Sequence, residues 1–128
     1  MKFMKKYEKY SSLVLRLVLG LAFIAHGWQK VSGLEGWIGM AAGWGVPAVL
    51  AYMVAFGELL GGAGILLGAL TRWASVVIAV IMVGALFIAG LQMPYLGGWE
   101  MIAAYLGMAL SLAFTGAGDM SVDKKMKW

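Results

Sequence analysis

Residues 13–31 read LVLRLVLGLAFIAHGWQKV. The run is long enough, at about 20 residues, to carry a helix across the hydrocarbon core of a bilayer. It is continuous rather than alternating, so it predicts a helix and not a barrel strand. Inside lipid the backbone must satisfy its own hydrogen bonds, and a helix does so within one segment. The basic residues before it and its apolar core also resemble a signal peptide. The run is long for such a core, however, and it continues into His26, Trp28, Gln29 and Lys30 without a small-residue cleavage site. It is therefore read as a retained span.

Three more runs follow, at 47–70, 73–91 and 99–115. The fold expected is an all-α membrane protein, a four-transmembrane-helix bundle forming a single membrane domain over 1–128. Composition agrees. Hydrophobic residues are 62% and charged residues 12% of the chain, against about 45–50% and about 25% in soluble domains. Mean hydropathy is +0.87. Ten basic and six acidic side chains give a net charge of +4. The basic ones gather at the two tails: Lys2, Lys5, Lys6 and Lys9, then Lys124, Lys125 and Lys127. Such tails suit anionic headgroups. A nucleic-acid partner is not expected, because no folded basic face is left for one.

Lys and Arg bias sets orientation. Both tails and the Thr71-Arg72 turn are basic, whereas 32–46 and 92–98 contain no Lys or Arg. Four spans put all the basic segments on one side, which predicts a multi-pass protein of the cytoplasmic (inner) membrane with both termini in the cytoplasm. In the first outer connection, Leu34, Trp37, Met40, Ala41 and Trp44 recur at spacings of three and four. That pattern predicts a short interfacial amphipathic helix between the first two spans. Trp28, Trp37, Trp44 and Trp99 would form an outer aromatic belt, with Tyr7, Tyr10 and Trp73 on the inner side. Anchoring is the expected role of these rings.

There is no Cys and only one His. Thiolate clusters, dithiol exchange within the chain and a His-rich metal site are thereby excluded, and no metal is expected. The informative residues are ionisable ones in or beside the spans: Arg16, His26, Lys30, Glu58 and Glu100. A charge at the bilayer centre costs about 3 kcal/mol on insertion scales and usually faces the bundle interior. On one helix Arg16, His26 and Lys30 share a sector of roughly 80° with Leu19 and Phe23. At ~1.5 Å per residue from the outer ends, Lys30 and Glu100 lie near ~2 Å, His26 near ~8 Å, Glu58 near ~16 Å and Arg16 near ~22 Å. These depths predict that Lys30 meets Glu100, and that Glu58 pairs with Arg16, His26 or both. Depth alone does not choose between the last two. The set would form a polar ligand-binding site or hold helices in register. Gly57, Gly61, Gly64 and Gly68 share a face of the second span, which predicts close helix packing within the bundle; a homo-oligomer seam is the other use.

Six segments in order, taken together, resemble the DoxX family of small membrane proteins. They are Arg16-Leu17-Val18-Leu19-Gly20, His26-Gly27-Trp28-Gln29-Lys30, Gly45-Val46-Pro47, Gly57-Glu58-Leu59-Leu60-Gly61-Gly62, Gly68-Ala69-Leu70-Thr71-Arg72 and Gly116-Ala117-Gly118-Asp119-Met120-Ser121-Val122-Asp123. They span nearly the whole chain. The middle of Gly116-Ala117-Gly118 departs from the family, which often has proline there. The resemblance implies kinship with a membrane subunit of thiosulfate:quinone oxidoreductase, redox partner proteins and recurring polar positions at Arg16, His26, Lys30 and Glu58.

The first functional expectation is a membrane subunit of redox or sulfur metabolism that binds quinone reversibly, with no covalent cofactor. Quinone carbonyls would meet His26 or Lys30, and His26 or Glu58 would pass protons. The alternatives are a non-catalytic binding or assembly protein and a small transporter acting as an oligomer.

Overall fold

A computed structural model describes residues 1–127, and among them there is no strand. The helices are α1 (Lys2–Lys5), α2 (Ser11–Ser32), α3 (Leu34–Gly43), α4 (Ala48–Leu67), α5 (Thr71–Ile88), α6 (Glu100–Thr115) and α7 (Val122–Met126). Four helical stretches are long and apolar enough to cross a membrane: Glu8–Ser32, Ala48–Leu67, Thr71–Gln92 and Tyr95–Thr115. The chain is thus a four-helix membrane bundle, with the short α3 between the first two spans. Pro47 precedes α4 as its N-cap, in extended conformation, where its missing N–H costs no helical hydrogen bond. A 3-10 turn at Gly90–Gln92 and an irregular turn over Tyr95–Trp99 join α5 to α6. The start of α2 and the segment leading into α7 meet at one end of the bundle, the base; α3 and the α5–α6 connection lie at the other, the mouth.

α2 packs chiefly on α4, and α5 on α6. Three glycines set the first contact. A Cβ on Gly20 would sit 2.8 Å from the Leu66 nitrogen, and one on Gly62 would sit 2.7 Å from the Ile24 nitrogen. One on Gly27 would strike the Leu59 backbone. The antiparallel register therefore sets Gly20 against Leu66, Ile24 against Gly62 and Gly27 against Leu59. In this register α4 runs roughly one and a half turns, ~9 Å, past the end of α2 at the mouth. The predicted face of Gly57, Gly61 and Gly64 packs instead on α5, against Ile81, Ile78 and Ala74. Between base and mouth, Leu19, Phe23, Ile65, Ile78, Met82 and Leu112 form a dry layer, each no more than 6% exposed.

The base is sewn by two arginines that satisfy helix C-termini, where carbonyls lack intrahelical partners. Arg16, 2% exposed, donates to the Ile65 and Leu66 carbonyls of α4 and to those of Ala117 and Met120, at 2.8–3.1 Å. Arg72 donates to the Ala113 and Phe114 carbonyls of α6 at 3.0 and 2.7 Å. Asp123 accepts from the Leu70 and Thr71 amides that open α5. Gly68 turns the chain at φ +71, and a Cβ there would collide with Arg16 and Ser121. Three of the ordered segments, those around Arg16, 68–72 and 116–123, thus meet in one clasp.

Candidate functional site

Glu58 stands on α4 next to Leu59, whose backbone Gly27 lets α2 approach. That contact brings Lys30, just under one turn beyond Gly27, to the Glu58 carboxylate: Lys30 Nζ lies 2.9 Å from Oε2. The Glu58 side chain is 5% exposed and that of Lys30 17%. An unpaired charge here would carry most of its desolvation cost, so each group is the counter-ion the other needs at this depth. Lys30 Nζ also sits 4.8 Å from the centre of the Trp37 ring, a cation–π contact. The Trp37 indole N–H donates to the Ala51 carbonyl at 2.8 Å. Trp37 thereby fastens α3 to the part of α4 that projects past α2.

The pair opens onto a cavity of about 1050 Å³ between α2, α4, α5 and α6, covered on the mouth side by α3. Most of its wall is apolar, including Met40, Leu50, Met53, Val80, Ile81 and Met101. The polar exceptions on α2 are His26, Gln29 and Lys30, with Glu58 on α4 and Tyr105 on α6. His26 is exposed and forms part of this wall. Its ring lies 6.1 Å from that of Tyr105 and 5.9 Å from that of Phe23, while Phe23 and Tyr105 meet edge to face at 5.1 Å. The site thus has a charged wall at Lys30–Glu58 and an aromatic wall at Phe23, His26 and Tyr105.

Of the sequence-predicted residues, His26, Lys30 and Glu58 share the cavity, and Arg16 and Glu100 do not. The expected Glu58–Arg16 pair is corrected. Arg16 belongs to the base and spends its guanidinium on carbonyls; in the observed register it is about twelve residues, ~18 Å, below Glu58. Lys30, rather than His26, is the hydrogen-bonded partner of Glu58. The expected Lys30–Glu100 pair also does not form: Glu100 Oε1 accepts from the Gly97 amide at 2.9 Å, closing the turn before α6. Depths counted from the ends of the apolar runs treated those ends as level, whereas the glycine contacts slide α4 outward past α2. Trp37, Gln29 and Tyr105 were missed as site residues. The spacing of Trp37 marks it as a membrane anchor, and only packing of α6 on α2 brings Tyr105 to His26. The one available signal was Gly20 and Gly27, seven apart on the sector of Arg16 and Lys30.

Comparison with known proteins agrees with this architecture. Residues 11–91 match the family model DoxX. The candidate oxidoreductase CatD of Bacillus subtilis is 33% identical over 120 residues, which cover 94% of this chain and 90% of that one. The inner membrane protein YqjF of Escherichia coli is 30% identical, covering 98% of this chain and 100% of its own. An uncharacterized protein of Haemophilus influenzae is 34% identical, with 95% of each chain covered. No solved structure matches. The match spans three of the four membrane helices and includes both members of the charge pair, so the chain belongs to the DoxX family of membrane proteins.

Proposed function

We propose that this chain is a redox-associated membrane protein whose mouth cavity takes the head of a neutral, bilayer-soluble quinone. The observation that carries the reading is the buried Lys30–Glu58 pair on the wall of a cavity of about 1050 Å³. Small-molecule sites are concave and mostly apolar, with a few placed polar groups. An intramembrane charge marks function by default. The pair is neutral as a whole, so a neutral ligand enters at the least electrostatic cost, whereas a small anion would face Glu58. Lys30 can donate to a ring carbonyl, and the second Glu58 oxygen has no partner among the described residues. That oxygen suits the proton that a quinone takes up or gives off on redox change. Phe23, Trp37 and Tyr105 offer ring faces and edges. The oxidoreductase name of CatD supports the redox class. With no Cys and one His in the chain, the electrons come from a partner protein or from a substrate reacting directly with the quinone.

The test is to extract lipid-soluble molecules from protein purified out of native membranes and to weigh them. A quinone close to one per chain is expected. Lys30→Met combined with Glu58→Gln should lose it by at least tenfold while remaining folded. Protein from a quinone-containing membrane that carries none, and whose Trp fluorescence added quinone fails to quench, would refute the reading. A second reading follows from the same pair, because it also joins α2 to α4. In that case the chain is an assembly protein, and the charge-free double variant keeps every partner and activity of the wild type.

A further inference from the structure

A second cavity, about 570 Å³, lies at the base between the start of α5, the end of α6 and α7. Three cations border it, Arg72 on α5 and Lys124 and Lys127 on α7 and its C-terminal cap. We propose that this cleft holds the phosphate of an anionic phospholipid, with the acyl chains running up the exposed face of α5 beside Trp73.

The two arginines of the base differ in a way that points to a ligand. Arg16 is buried and gives four hydrogen bonds to carbonyls through all three of its nitrogens. Arg72 is exposed, and both of its bonds, to Ala113 and Phe114, come from one terminal nitrogen. Its Nε and its other terminal nitrogen have no partner among the described residues. They border Gly116, where a Cβ would come within 3.3 Å of both. The α6 carbonyls therefore fix this guanidinium and leave one edge available for a bidentate phosphate. Lys124 is loosely held, 3.8 Å from Asp119 and largely exposed. The nearby Asp123 turns both of its oxygens to the amides that open α5, so neither bonds Arg72, Lys124 or Lys127, and the three cations against this one carboxylate leave the lining net positive. The Thr71 hydroxyl is buried without a partner in the same wall. Trp73, 74% exposed at this level, is an interfacial residue by type. Above it Val76 and Val80, which also border the mouth cavity, and Val83 and Phe87, which do not, are exposed along the span, a track that acyl chains can cover. An inorganic phosphate would use the cations and leave that track bare.

The experiment is native mass spectrometry and thermal melting of the full chain, delipidated in detergent and supplied with phosphatidylglycerol, phosphatidylcholine or inorganic phosphate. One phosphatidylglycerol per chain should be retained, with at least tenfold preference over phosphatidylcholine, and the melting temperature should rise with it. Lys124→Gln with Lys127→Gln should weaken retention at least tenfold without lowering the melting temperature in phosphatidylcholine. Arg72→Lys, which keeps the charge and loses the second edge, should weaken it less. Neutralising the tail through Lys2→Gln, Lys5→Gln and Lys6→Gln should change it less than twofold. The proposal is overturned if phosphatidylcholine is held equally well, or if the tail variant rather than the cleft variant loses the lipid. Inorganic phosphate that raises the melting temperature as much as phosphatidylglycerol overturns the lipid assignment.

Discussion

Glu58 and Arg16 are both charges inside a membrane helix, yet removing each should have different consequences. Glu58→Gln leaves Lys30 buried without its counter-ion, and breaking such a pair costs about 3–5 kcal/mol. The melting temperature in detergent should fall accordingly and return when Lys30→Met is added. A double variant no more stable than Glu58→Gln alone would show that Lys30 does not depend on Glu58. Arg16→Gln should be worse and not repairable by a single partner change. It orphans carbonyls of α4 and of the 117–120 turn at once, and each hydrogen bond from a charged donor contributes about 1.5–3 kcal/mol. Chemical unfolding should register a loss of roughly 4 kcal/mol or more, while any quinone held by the variant that still folds should be unchanged. Residue types alone indicated that these positions mattered. They could not separate a clasp from a site, because the acceptors of Arg16 are backbone carbonyls, which every residue possesses and no motif marks.

Among elements, the α2–α4 contact decides the site, and its glycines make a graded prediction. At Gly62 an added methyl meets backbone, the Ile24 nitrogen at 2.7 Å and the Phe23 carbonyl carbon at 2.9 Å. At Gly61 the nearest atom is the Cδ1 of Ile78 at 3.0 Å, the far end of a side chain that can turn away. Gly62→Ala should therefore destabilise by about 1–3 kcal/mol through overpacking. Gly61→Ala should fall within about 1 kcal/mol of wild type, since alanine gains a similar amount in helix propensity. Equal unfolding midpoints for the two variants would contradict the register assigned to α2 and α4. The four helices and the short α3 were legible because apolar length and period are written in side chains. The slide of α4 past α2 was not, because it depends on where two backbones touch. Trp37 shows the consequence: its spacing places it on an interfacial helix, but its hydrogen bond to the Ala51 carbonyl exists only because α4 projects beneath it.

For the molecule as a whole, the dry layer of Leu19, Phe23, Ile65, Ile78, Met82 and Leu112 separates the mouth cavity from the base. Among the described residues this apolar layer stands between the two cavities, so the mouth cavity is open at one end of the bundle. Which side that is follows from charge. Lys2, Lys5, Lys6, Lys9, Arg72, Lys124, Lys125 and Lys127 all belong to the base, whereas Lys30, the one basic residue of the mouth half, is neutralised by Glu58. The Lys and Arg bias predicts that the base faces the cytoplasm, which would open the cavity to the outer half of the membrane. Single cysteines can test this in the otherwise Cys-free chain. Gly36, which has open space around it, and the exposed Leu96 report on the mouth. Ser11 and Asp119, both exposed, report on the base; Ser121 is unsuitable because it is buried and caps α7. In intact cells a membrane-impermeant maleimide should label positions 36 and 96, and positions 11 and 119 should react only after the membrane is opened. The reverse pattern would place the cavity on the cytoplasmic side and any proton exchange with it. Labelling of 11 and 119 on opposite sides would break the four-span topology itself.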